Sequence, residues 1–369
     1  MFLAAVLGLV ALGAIMVGST SVSVGAREFE QPFYYLTRHI GALGVGLVGL
    51  TFALLVPTSV WYRMNGLLLV SGLALLVLVL LPGLGATANG STRWLVLGPI
   101  SIQASEPARL FLVMYLASYA VRHRAALGST FSSFLKPLLI VGIVGMLLLA
   151  EPDFGALVVI AATSLGILFV AGSRLRDFFF AVLSASGILS ALVVTSNYRW
   201  QRITSYLDPF ADPFDSGFQL VNSLIAIGRG DWFGVGLGES VQKLFYLPEA
   251  HTDFVFAVLA EELGFAGSTL VIGLFALLAY RAINIGQRAL DAEQPFAGLL
   301  CIGIGLMIGI EAFINIGVNI GLLPTKGLAL PLLSYGRSSV VVTLIAIGLV
   351  MRVAVELQAL DEKPARKRR

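Results

Sequence analysis

The apolar positions of this chain fall in long unbroken runs, not in the short alternations that mark a half-buried soluble fold. No charged residue interrupts Met1–Ala26, the stretch between Arg38 and Arg63, or that between Arg63 and Arg93. The same holds between Asp153 and Arg174 and between Asp177 and Arg199. Hydrocarbon contains no water to satisfy backbone N–H and C=O groups, so about 20 apolar residues in a row read as a crossing helix. Shorter or charge-flanked runs at 106–121, 136–150, 255–280, 296–320 and 338–355 bring the set to ten. The pattern predicts an all-α integral membrane protein whose residues 1–369 form a single polytopic domain. The first run is too long, and too poor in leading positive charge, to be a cleaved signal peptide.

Lys and Arg set the orientation of such a chain. Alternate connections hold Arg63; then Arg122, Arg124 and Lys136; then Arg174 and Arg176; then Arg281 and Arg288, and a basic tail spans 357–369. Basic residues outnumber acidic ones on that side and acids prevail on the other, which predicts cytoplasmic termini. The opposite side then carries Ser19–Thr37, a Gly-, Ser-, Thr- and Asn-rich loop Pro82–Ser105, and a large extracytoplasmic loop at 198–252 between helices 7 and 8. The last exceeds what a connector needs, and its Trp, Tyr and Phe argue against disorder. Within it, Phe218, Val221, Leu224 and Ile225 recur at helical spacing, predicting a short surface helix over Ser216–Ile227 that stops at Gly228.

Composition closes the soluble alternative. Hydrophobic residues make up 57% of the chain, charged residues 12%, and mean hydropathy is +0.91. A soluble fold of this length could not hide that much apolar surface. The lone Cys301 permits no internal disulfide, and three histidines leave little for a His-rich metal site. No nucleotide-binding motif occurs: Gly234, Gly236 and Gly238 follow no predicted strand. The sequence offers nothing for nucleic acid.

Ionisable groups within or at the lip of a span are expensive and raise a functional hypothesis. Glu106 and Arg109 open the fourth run on one helix face, as a local ion pair or as a polar cluster offering a guanidinium to phosphate. Glu151-Pro152-Asp153-Phe154-Gly155 reads as a tight turn with Asp153 as N-cap. His251-Thr252-Asp253 leads straight into an apolar run, so Asp253 is either an N-cap or a general base. Of the buried acids Glu261 and Glu262, at least one should bond to a neighbouring helix. Glu311 and Asn315 look like interhelical hydrogen-bonding glue. Leu323-Pro324-Thr325-Lys326-Gly327, running to Ser334-Tyr335-Gly336-Arg337, is an irregular loop with two cations, Lys326 and Arg337.

Taken together, His251–Val258 with Ala260-Glu261-Glu262-Leu263-Gly264, Leu323–Gly327, Leu333–Gly336 and Glu151–Gly155 resemble the signature of the SEDS family (shape, elongation, division and sporulation) over nearly the whole chain. Pro324-Thr325-Lys326-Gly327 is similar to the cell-division branch. The resemblance implies ten transmembrane helices and a peptidoglycan glycosyltransferase that polymerises lipid II at the outer face of the bacterial cytoplasmic membrane, at the septum. It implies a class B penicillin-binding protein, a single-span transpeptidase, as partner, with other divisome membrane proteins and membrane lipid nearby. Asp253 would be the catalytic carboxylate, and Glu106, Arg109 and Asp153 would belong to a polar cavity that contacts substrate or couples to activation. On the charges alone, Arg109, with Lys326 or a divalent cation such as Mg or Mn, is the candidate stabiliser of a departing pyrophosphate. Arg109 stands where the family commonly has Lys, and Arg337 where a second Gly commonly follows Ser-Tyr-Gly. A lipid II flippase and a non-enzymatic divisome scaffold are the competing expectations. The gathering of acids beside the large loop favours chemistry on one face.

Overall fold

The computed structural model describes residues 1–88, 91–98, 100–325 and 327–366. In order, the chain forms helices α1 (Phe2–Phe29), α2 (Tyr34–Leu55) and α3 (Thr58–Leu80), then strands β1 (Gly85–Ala88), β2 (Ser91–Leu97) and β3 (Ile100–Gln103). Helices α4 (Ser105–Arg122), α5 (Arg124–Leu127), α6 (Phe131–Ala150), α7 (Phe154–Val170) and α8 (Leu175–Val194) follow. The last five are α9 (Asn197–Leu207), α10 (Phe218–Gly230), α11 (Val255–Asp291), α12 (Pro295–Asn319) and α13 (Arg337–Arg366). Among the described residues eight helices, α1, α2, α3, α6, α8, α11, α12 and α13, are long and apolar enough to cross a membrane. The pattern predicted ten. The other two runs do fold as helices, but α7 has only 17 residues and α4 has 18 residues with Glu106 and Arg109 in its first turns.

The chain packs into two compact units. The first gathers Met1–Leu43, Ser184–Leu278 and Gly309–Arg337; the second gathers Gly44–Leu183, Ala279–Ile308 and Ser338–Arg369. Helices α2, α8, α11 and α12, and α13 by its first residue, each begin in one unit and end in the other.

In the second unit α4 packs against α3 and α7, and most of its residues are buried, including both charged ones. Close approach is possible because Gly72 of α3 has no side chain: a Cβ there would lie 3.2 Å from the Ala108 backbone. Between α3 and α4 the strands form an antiparallel sheet in the order β1-β2-β3, with Trp94 opposite Gln103 and Ala86 opposite Trp94. The sheet stands where the sequence pattern read a Gly-, Ser-, Thr- and Asn-rich loop, within an otherwise helical fold. Short strands rich in Gly, Ser and Thr carry too little alternation to be told from a loop.

In the first unit the 198–252 segment holds two helices where the spacing predicted one. The predicted helix is α10, and it ends at Gly230 rather than Gly228. Space decides the difference, since Gly228 is open while a Cβ on Gly230 would lie 1.9 Å from the Ala260 carbonyl. The unpredicted helix is α9. Helix α11 is broken at Gly264, whose φ of 66° and ψ of −162° lie outside the helical region. A break orphans backbone groups on both sides, and the segment after α10 takes them up. Val235 and Gly236 N–H donate to the Glu261 and Glu262 carbonyls (2.9 and 3.1 Å), while Phe265 and Ala266 N–H donate to the Asp231 and Trp232 carbonyls (2.8 and 3.1 Å).

Both acids beside that break are paired. Glu261 accepts from Arg229 of α10 (3.0 Å), from Ser240, and from the Val241 and Gln242 N–H groups at 3.2 and 3.3 Å. Glu262 accepts from Lys243 (2.7 Å) and from Ser19 of α1 (2.6 Å). They hold residues 229–243 onto α11.

Candidate active site

The predicted site residues divide between the two units. In the second, Glu106 and Arg109 form the local ion pair that their three-residue spacing allows, and both side chains are buried. A buried pair is held because losing either partner strands the other charge. Below them, residues of α4 and α7 including Arg109, Val113, Thr163 and Ser164 line a void with room for about one water.

Asp153 is the N-cap of α7, its Oδ1 accepting from the Ala156 N–H at 3.1 Å. Its Oδ2 also accepts from Ser105 Oγ at 3.3 Å, so one carboxylate joins the starts of α4 and α7. Arg93 on β2 lies 3.9 Å from that carboxylate and donates to the carbonyls of Glu151 and Pro152. The sheet is therefore what carries a cation over the Glu151–Asp153 turn. Glu151 is fully buried, and neither of its oxygens has a hydrogen-bond partner among the described residues. Burial, reinforced by the neighbouring Asp153 charge and opposed by Arg93, pushes its pKa up to about 8.

In the first unit Asp253 sits on the turn just before α11 and is half-buried. Its main chain is fixed from α12: the carbonyl accepts from the side-chain amides of Asn315 and Asn319, each at 3.0 Å. Asn319 Oδ1 accepts in turn from the Ala257 N–H (3.0 Å), and Ser223 of α10 donates to the Asn319 carbonyl (2.7 Å). Asn315 donates also to the Leu328 carbonyl, tying in the loop that precedes α13. Two residues before Asp253, the His251 carbonyl accepts from the Tyr335 N–H at 2.9 Å. Burial holds the His251 imidazole below its usual pKa, against the opposing pull of Glu249 and Glu28, so the ring is neutral near pH 7.

Lys326 lies outside the described residues. Asn319 and Arg93 are functional candidates that sequence reasoning missed. Glu311, Asn315 and Asn319 recur every four residues along one face of an apolar helix, so the signal for Asn319 was present. Arg93 gave none, because its partner turn lies some sixty residues away.

A divalent cation has no ready protein cage: among the described residues no three His, Cys, Asp or Glu side chains group so as to hold a metal ion. Glu106 and Asp153, which could supply oxygens, already face arginines.

Residues 1–359 match the model of a family described as cell cycle protein, FtsW/RodA/SpoVE. The chain is 50% identical over 364 residues to a protein of Alkalilimnicola ehrlichii named probable peptidoglycan glycosyltransferase FtsW, covering 99% of this chain and 91% of that one. It is 52% identical over 354 residues to a protein of the same name from Nitrosococcus halophilus, covering 96% and 91%. Among solved structures it is similar to a chain from a study of the structural coordination of polymerization and crosslinking by a peptidoglycan synthase complex. The TM-score is 0.74 at 31% identity, with 95% of this chain and 97% of that one covered. Rod shape determining protein RodA of Thermus thermophilus gives a TM-score of 0.70 at 29% identity, with 96% of each chain covered. With the match running through every motif of both units, the chain belongs to the FtsW/RodA/SpoVE family of cell cycle proteins.

Proposed function

We infer that this chain is a multi-pass membrane peptidoglycan glycosyltransferase acting in cell division. The observation that carries the reading is half-identity over almost the full length to relatives of that name. In finer terms, it polymerises lipid II at the outer face of the bacterial inner membrane, at the septum. A class B penicillin-binding protein works beside it, in keeping with a structural neighbour drawn from a complex of polymerisation and crosslinking.

The chemistry is a single displacement at an anomeric carbon. The acceptor sugar hydroxyl attacks C1 of the donor, the C1–O bond to pyrophosphate breaks, and the lipid pyrophosphate leaves with the bonding pair. Asp253 takes the hydroxyl proton. Attack from the face opposite the leaving group inverts the anomeric centre. A general base must be both fixed and reachable. Asp253 meets both needs, with a backbone clamped by two amides and a half-buried side chain. Arg109 and Lys326 remain the proposed cations for the leaving pyrophosphate. Because Glu106 already balances Arg109, that arginine would act through an adjustable pair rather than as a bare charge.

Replacing Asp253 by Asn keeps the shape and removes the base. Purified Asp253→Asn protein, with and without its transpeptidase partner, should form no glycan strands from lipid II, a loss of roughly 100-fold or more for a general base, while melting like the parent. Strand synthesis at the parental rate on a gel would refute the assignment. A protein that only moved lipid II between leaflets would make no strands even before mutation.

A further inference from the structure

Around His251, two residues before Asp253, the first unit gathers aromatic rings from three distant parts of the chain. Tyr35 at the start of α2 lies edge-on to Tyr335, with centroids 5.0 Å apart at 89°, and 4.7 Å from the His251 ring. His251 and Tyr335 are 5.9 Å apart and are also joined through the backbone. These rings are unlike the aromatics of the core. Phe134 and Phe256 are wholly buried, whereas Tyr35, His251 and Tyr335 each keep part of their surface exposed. The surroundings are also wrong for lipid: the Tyr35 hydroxyl donates to the exposed carboxylate of Glu28 at 2.9 Å. Beside Tyr335, His39 is fully buried, and neither ring nitrogen has a hydrogen-bond partner among the described residues. A buried polar group without a partner costs stability, so the cluster holds hydrogen-bonding capacity that the fold does not use.

Half-exposed aromatic faces with polar groups at their rim match the amphipathic surface of a pyranose. One face of such a sugar presents C–H bonds, which are electropositive and apolar, to the negative π-face of a ring. Its hydroxyl and amide groups point sideways, toward hydrogen-bonding partners. We propose that Tyr35, His251 and Tyr335 form a saccharide-stacking subsite that seats an N-acetylhexosamine ring of the lipid-linked substrate beside Asp253. The inference deepens the proposed function and rests on it for the identity of the sugar. Placement supports it independently: Asp253 lies two residues beyond His251, and backbone bonds from Asn315, Asn319 and Tyr335 hold both residues on one turn. A neutral His251 adds to the platform without placing a cation against the sugar.

The test separates sugar from lipid. In the non-turnover Asp253→Asn background, two probes are titrated onto the full-length protein in detergent: polyprenyl pyrophosphate, and the same lipid carrying the N-acetylhexosamine disaccharide. Tyr35→Leu and Tyr335→Leu should each weaken the sugar-bearing probe roughly 3- to 10-fold, the scale of one aromatic contact, and leave the bare lipid pyrophosphate unchanged. Tyr35→Phe and Tyr335→Phe should bind like the parent, since the ring face and not the hydroxyl carries the contact. Equal loss of both probes, or no loss of either, overturns the proposal. Should a leucine variant fold poorly, saturation transfer from the aromatic protons of the unsubstituted protein to a soluble disaccharide answers the same question. Signal concentrated on one C–H face of the sugar supports stacking, and an even or absent signal refutes it. Because binding is read without turnover, failure here leaves glycan synthesis by the parent intact, and failure of that synthesis leaves the binding comparison readable.

Discussion

At Asn319 one carboxamide serves three backbone groups: it donates to the Asp253 and Asn315 carbonyls and accepts from the Ala257 N–H. Each buried group left unpaired costs about 1–3 kcal/mol, and a small displacement of a catalytic side chain can cost on the order of 100-fold in rate. Asn319→Leu should therefore lower kcat for glycan synthesis by roughly 10- to 100-fold with little change in KM, as measured by strand formation against lipid II concentration. Glu151 makes a prediction of a different kind. Its pKa is raised from 4.5 to about 8 in the folded chain, so the folded state holds a proton that the unfolded state releases. Its contribution to stability is thus fully present below about pH 4.5 and is lost as pH rises through about 8. Glu151→Gln keeps the shape without the titration. The fall in Tm of the parent between pH 5 and 8 should flatten in this variant, by about 2–4 °C for each kcal/mol relieved. At this scale the sequence was informative about acids and poor about their partners. Asp253, Glu106 and Asp153 stood out because a charge at a span boundary is costly. Nothing in a linear string pairs Arg93 with residues 151–153.

Among the elements, the break in α11 carries the most consequence. Hydropathy alone reads one apolar run through 255–280 with no break in it. What interrupts it is a conformation only glycine tolerates, packed against backbone: a Cβ on Gly264 would lie 2.4 Å from the Gly234 nitrogen. Gly264→Ala should combine about 1–3 kcal/mol of backbone strain with that clash. It should lower Tm in detergent by several degrees, and a circular-dichroism melt would record this. An unchanged melt would mean that α11 can run straight. Long apolar helices were legible because their period and length are strong signals. The sheet and α9 were not, since short elements owe their form to what they pack against.

On the scale of the whole molecule, neither unit is a continuous piece of chain. Each is assembled from three segments, and five helices hold residues of both. This is why a single polytopic domain was the natural reading of hydropathy, which sees runs and loops but not which runs pack together. The family motifs lie where the backbone is held by side chains: the cap at Asp153, the clamped turn at Asp253, the pairing at Glu261 and Glu262. The graft of residues 231–236 onto the open end of a helix also sets where this chain can change length. An inserted residue there would shift four backbone hydrogen bonds out of register and drag the Asp253 turn with it. The Asp208–Asp215 stretch is different: Asp212 accepts from Ser216 and from the Gly217 N–H, both close in sequence, and Phe210 and Phe214 stand exposed. Tags, loops and natural insertions belong in that stretch.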